Sequence, residues 1–176
     1  KNDLNKNERV TVICSTLEKA VKMLEHQTFD FINVSGLLNE IEEPVDFLKS
    51  IKRLCKNGHT VIHVNVANAD SVHRLWAVEM GLIKNPCEAS ERNKKFQQTT
   101  VFQMESLKQT ILESAEEGAI EILDMGSYFL KPFSHKQMMQ CIEQGILTET
   151  LIDGLDKMVK YFPEYGSEIY INYRIR

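Results

Sequence analysis

The sequence predicts an α/β domain with a mainly parallel sheet, helices on both faces and an antiparallel last strand. Three observations carry this expectation. Residues 28–69 read as strand, acidic loop, helix and strand, and strands joined by a helical crossover run parallel. Apolar residues recur at helical spacing within 72–81 and 104–114. Residues 167–175 alternate Ile169, Ile171, Tyr173 and Ile175 against polar positions and Tyr170, the period of a strand with one buried face.

The 176 residues suffice for one domain with a core of its own, 1–176. The net charge of −4 argues against nucleic acid as a partner. No apolar run has the length of a membrane span, and no secretory signal precedes the first strand, so no membrane partner is expected. Cys14, Cys55, Cys87 and Cys141 are scattered without metal-ligand or redox spacing, which points to reduced thiols in a cytoplasmic protein. The five histidines lack zinc spacing; His59 and His63 are four apart on a strand-like run, so no metal is expected. The chain opens on Lys1 rather than methionine, which suggests a processed or incompletely recorded sequence.

In order, 1–9 is a polar lead-in, and the β-branched run 10–14 is expected as a strand. Ser15 and Glu18 have capping-box spacing ahead of a helix with Leu17, Ala20, Val21 and Leu24 on one face. Residues 29–34 form the next strand, ending in Ser35-Gly36. The run 10–14 is expected either to pair with it directly, as an association-prone edge, or to lie loosely apart. The acidic loop 37–44 leads into a helix over 45–54, stopped at Lys56-Asn57-Gly58 where a left-handed glycine fits. Residues 60–66 are the second parallel strand. Asp70 or Ser71 can cap the helix over 72–81, with Val72, Leu75, Trp76 and Met80 on one side. Residues 84–95 are a polar, charge-rich loop and the candidate lid. Helix 104–114, strand 119–125, a helix capped by Ser134, a helix over 147–162 bent near Gly154, and the last strand complete the chain.

In parallel sheets, ligands collect beyond the carboxyl ends of the strands. Here those ends carry Ser35-Gly36 and Asn65-Val66-Ala67-Asn68. Glycine at Gly36 permits close approach of a ligand, or simply ends a strand. Glu40, Glu42 and Glu43 can include a general base, or form a solvated acidic loop near the positive end of the following helix. Asn65, Asn68 and His73 suit hydrogen bonding to a polyol or an amine, against the plainer reading as a turn asparagine and a surface histidine. Arg74, Lys131 and His135 can make a positive corner for a phosphate or carboxylate, or be ordinary surface cations. Trp76 and the methionines read as core.

The series Phe29-Asp30, Ile32, Leu38, Ile41, Pro44, Gly58, Asn68-Ala69 resembles the later half of a class I S-adenosylmethionine-dependent methyltransferase. Members carry Phe-Asp-x-Ile, Leu-Glu-His-Ile-x-Asp-Pro, Pro-Gly-Gly and Pro-Asn-Ala in this order. Departures are Asn39-Glu40 for Glu-His, Lys56-Asn57-Gly58 for Pro-Gly-Gly, and Ala67 for proline. Ser71-x-His73-Arg74-Leu75, Met80-Gly81 and Phe129-Leu130-Lys131-Pro132-Phe133-Ser134 resemble one bacterial branch.

The resemblance implies a Rossmann-like methyltransferase sheet whose N-terminal strands are missing, since none of the eight glycines forms the Gly-x-Gly cofactor loop. It implies S-adenosyl-L-methionine as cofactor, with Cys14, Ser15, Ser35, Gly36 and Leu37 on the cofactor side. The strand-end and charge readings above supply Glu40, Asn68 and His73 as catalytic candidates and Asn65, Asn68, His73, Arg74 and Lys131 on the substrate side. The implied function is methyl transfer to a hydroxyl or amine of a small molecule or sugar. The alternative is a catalytically inactive methyltransferase-like binding or scaffold domain. A homodimer is expected where 10–14 pairs directly as an exposed edge, and a partner chain completing the cofactor site belongs to the inactive alternative; the chain alone is expected to bind the cofactor weakly or not at all.

Overall fold

A computed structural model describes residues 9–24, 26–56, 58–88 and 101–176. Helix α1 is Leu17–Met23 and strand β1 is Phe31–Ser35. A single 3₁₀ turn at Leu38–Glu40 follows, then α2 at Pro44–Ile51, which tightens into a 3₁₀ turn over Lys52–Leu54. Strand β2 is Val61–Ala67, α3 Val72–Glu79, α4 Met104–Glu113 and β3 Ile120–Tyr128. The chain ends with α5 at His135–Glu143, α6 at Glu149–Lys157 and β4 at Glu168–Ile175.

The sheet order is β1-β2-β4-β3. Strands β1 and β2 are parallel, with Phe31 opposite Val61 and Ser35 opposite Asn65. Strand β4 is antiparallel to β2 on one side and to β3 on the other. Three strands therefore point one way, and the reversed last strand is wedged between two of them. The βαβ unit and the antiparallel last strand expected from the sequence are both present.

One sheet face makes the core. Val34, Ile62, Val64, Val66, Ile169, Ile171 and Tyr173 lie beneath Leu48 and Ile51 of α2, and Leu107 and Ile111 of α4. The period-two pattern of β4 puts Ile169, Ile171 and Tyr173 fully inside, while the alternate residues face the other way. That second face carries one ring from each strand: Phe31, His63, Tyr170 and Tyr128. Successive ring centroids are 6.4, 5.8 and 4.6 Å apart. Phe31 and Tyr128 are exposed. The helices that share the core cluster, α2 and α4, lie on the core-forming face.

Two local expectations are corrected. Residues 10–14 form no strand: Val10 and Val12 are exposed, and among the described residues β1 pairs with β2 alone. Of the two arrangements considered, the stretch lies apart, because β-branched residues hold a strand only with a partner to pack against. Thr16 rather than Ser15 is the N-cap of α1, and its side chain makes no capping bond. Ser134, by contrast, forms its capping box with Gln137. Gly58 takes φ +71°, and its N–H reaches the carbonyl of Ile175 at 3.1 Å, tying the α2–β2 turn to the end of β4.

Candidate functional site

Strands β1, β2 and β3 finish at one rim of the sheet, where β4 begins. Gly36 turns the chain off β1 at φ +62°, a conformation glycine adopts without steric cost. Its N–H donates to the carbonyl of Asn65 at 2.9 Å, so the loop folds across the end of β2. Leu38 is fully buried, and Asn39 Oδ1 accepts from the N–H of Ala67 at 3.2 Å. These anchors leave Ser35, Gly36 and Leu37 on the outside, with no heavy atom within 4 Å of where a Gly36 Cβ would stand. Glu40 is exposed beside them. Cys14 and Ser15 lie on exposed irregular backbone ahead of α1.

The two asparagines are occupied within the fold. Asn65 donates to Glu168 Oε2 at 2.6 Å, across β2 and β4. Asn68 is buried and gives both amide protons to carbonyls, of Glu164 and Gly166, each at 2.8 Å. Its Oδ1 accepts from the N–H of Asp70 at 2.9 Å. Glu168 escaped the sequence reading because it is simply the first polar residue of a strand. Only the register with β2 brings it to Asn65. Nearby, Tyr170 donates to Asp124 Oδ2 at 3.0 Å. Burial and then Asp124 hold both the Tyr170 and Tyr128 phenols above their usual pKa.

His73, Arg74 and Lys131 are brought together just beyond this rim. His73 lies in the first turn of α3, where Nδ1 is buried without a hydrogen-bond partner among the described residues. Its pKa is pushed down to about 4, first by burial and then by the charges of Lys131 and Arg74. The ring is neutral at pH 7. Arg74 donates from Nε to the carbonyl of Pro86 at 2.7 Å and from Nη2 to that of Glu88 at 2.5 Å. That clamp holds the first part of the expected lid; the remainder, 89–95, lies outside the described residues. His135 is exposed at the start of α5.

Beside His73 opens a cavity of about 250 Å³, walled by Trp76, Met80, Leu82, Pro132 and Phe133. The rings of Trp76 and Phe133 are stacked, 5.9 Å apart and 18° from parallel. Trp76 and Met80, expected in the core, are exposed instead. Trp76 and Met80 face the cavity beside the segment preceding α5.

No family model matches the sequence, and no curated protein does. Solved structures do match in shape. A SAM-dependent methyltransferase from Archaeoglobus fulgidus aligns with all of this chain and 73% of its own, at 14% identity and TM-score 0.51. The plantazolicin methyltransferase BamL, solved with a triazolic desmethylPZN analogue and SAH, aligns with 93% of this chain and 58% of its own, at 14% identity and TM-score 0.50. The chain has the fold of the class I S-adenosylmethionine-dependent methyltransferases. It spans about three quarters of the first structure and under three fifths of the second.

Within this methyltransferase fold, the open backbone at Gly36 suits one wall of a cofactor site. The clear space above it would admit a ligand where any side chain would intrude. Ser35 and Leu37 flank that space with a hydroxyl and an apolar surface. Among the described residues, no group of three or more His, Cys, Asp or Glu side chains is arranged to hold a metal ion. No described helix is long and apolar enough to cross a membrane.

Proposed function

We propose that this chain is part of an S-adenosylmethionine-dependent methyltransferase acting on a hydroxyl or amine of a small molecule or sugar. The observation that carries the reading is the exposed turn Ser35-Gly36-Leu37, held open across the end of β2 in a sheet of methyltransferase fold. The cofactor, when bound, supplies an electrophilic methyl group on a sulfonium. The protein's task is then largely positioning, with a base only where the acceptor is a poor nucleophile. Ser35, Gly36 and Leu37 form one wall. Cys14 and Ser15 reach that wall only if the stretch before α1 folds back. Glu40 is the exposed carboxylate nearest in sequence to take a proton. Neutral His73, with Arg74 and Lys131 near it, stands on the acceptor side as a hydrogen-bond donor rather than a base, since its unprotonated nitrogen is buried. Asn65 and Asn68 shape the rim through their hydrogen bonds.

Saturation-transfer NMR with S-adenosylhomocysteine tests the reading, since it registers weak ligands. A saturable signal lost in Gly36→Val is expected. No signal at millimolar ligand overturns the reading. Calorimetry is expected to find binding weaker than micromolar, about −8 kcal/mol, because this chain carries no Gly-x-Gly loop.

A second reading, a catalytically inactive methyltransferase-like scaffold, is favoured by the row of rings, exposed at Phe31 and Tyr128, and by the side of β1 that no described strand pairs with. Light scattering separates the two. A stable dimer with no ligand signal supports the scaffold.

A further inference from the structure

We propose that the cavity between α3 and the start of α5 is a binding site for an aromatic carboxylate. The walls select the ring. Trp76, Met80, Leu82 and Phe133 are 50, 65, 69 and 37% exposed, a concentration of large apolar side chains around one opening of about 250 Å³. Such surface is stabilised by an apolar occupant, and two stacked aromatic residues on the wall favour a planar one.

The floor selects the carboxylate. Among the polar side chains lining the cavity, Ser134 and Gln137 are engaged with each other. Ser134 Oγ donates to Gln137 Oε1 at 2.7 Å, and the Gln137 N–H returns to Ser134 Oγ at 3.4 Å. His73 and the side-chain amide nitrogen of Gln137 are the polar groups left. The Nδ1 of His73 is sealed from solvent and unpartnered among the described residues. A buried donor without an acceptor is costlier than a carbonyl-like acceptor without a donor, so the proton of the neutral ring belongs on Nε2. His73 lines the cavity, so its Nε2–H and the Gln137 amide are the donors a ligand there can meet, and the nearby charges of Lys131 and Arg74 favour a negative acceptor. The clamp of Arg74 on Pro86 and Glu88 fixes the segment after Leu82, so the cavity mouth is held in place.

The methyl-transfer reading matters here only in making this ligand the methyl acceptor; binding itself does not depend on it. Trp76 is the sole tryptophan of the chain, so intrinsic fluorescence reports on this wall alone. The probe is 2-naphthoate, titrated without cofactor, with 2-naphthylmethylammonium as the cationic counterpart. Saturable quenching by the carboxylate is expected, with the cation at least about tenfold weaker. His73→Phe is expected to weaken the carboxylate by about tenfold, the loss of one charge-assisted hydrogen bond. Leu82→Asp, at an exposed mouth position, is expected to abolish binding with the fold intact by circular dichroism. Absence of saturable quenching, equal binding of the cation, or an unchanged affinity in Leu82→Asp overturns the proposal. Naphthoate binding without any S-adenosylhomocysteine signal sinks the methyl-transfer reading and leaves this one standing.

Discussion

Asn68 Nδ2 donates to the carbonyl of Gly166 at 2.8 Å, joining the end of β2 to the turn that feeds β4. The same amide nitrogen holds Glu164, and the N–H of Gly166 reaches Ser127 Oγ at 3.1 Å, so three strand ends meet around one turn. Gly166 has to be glycine there: a Cβ would stand 2.5 Å from the carbonyl oxygen of Tyr128.

Replacing Asn68 with alanine is therefore expected to act first on stability. The buried carbonyl of Gly166 and the part-buried one of Glu164 lose their donor, and an unsatisfied buried group costs about 1–3 kcal/mol. Urea unfolding should show a midpoint shift worth about 2–4 kcal/mol, allowing for partial rehydration. A shift under about 0.5 kcal/mol, within the range of ordinary surface substitutions, would return Asn68 to the list of ligand-facing residues.

Local periodicity explains what was legible beforehand. The βαβ unit, the last strand and the Ser134 cap rest on patterns within a dozen residues, and each appears in the structure close to its expected bounds. The Asn65–Glu168 pair, the Asn68 clamp and the row of rings join residues about a hundred positions apart or across four strands. No local pattern encodes register, so these were out of reach. Trp76 was misread for a related reason. A helical stripe shows that one side of α3 is apolar, not whether the sheet or a cavity meets it. Residues 10–14 failed differently: β-propensity marks a run able to pair, while the partner is a matter of tertiary structure.

Tyr173 is fully buried, and its hydroxyl finds no partner among the described residues. Burial raises its pKa, so it is a neutral, unpaired donor. Tyr173→Phe removes that donor and keeps the ring against its core neighbours. Stability is expected to be unchanged or higher by up to about 1 kcal/mol, since removing an unsatisfied polar group recovers its desolvation cost. Thermal unfolding of the two proteins measures it. A loss above about 1 kcal/mol, the net worth of an ordinary hydrogen bond, would reveal a partner for the hydroxyl, such as an ordered water.

His73 couples stability to pH. Its folded pKa is about 4, against about 6.5 for the free side chain. Above the higher value both states hold it neutral, and its burial is compatible with folding. Between the two values the unfolded chain binds the proton and the folded chain does not, so stability falls as pH drops through this window. From about pH 7.5 to about pH 5 the loss owed to His73 is on the order of 2 kcal/mol. Carboxylates titrate in the lower part of the same range, so the wild-type slope alone does not isolate it. His73→Phe keeps the ring and removes the titration. The variant should lose about 2 kcal/mol less than the wild type between those two pH values in urea unfolding. Equal losses in the two proteins would mean that His73 titrates normally, with its ring open to water rather than forming the floor of the cavity.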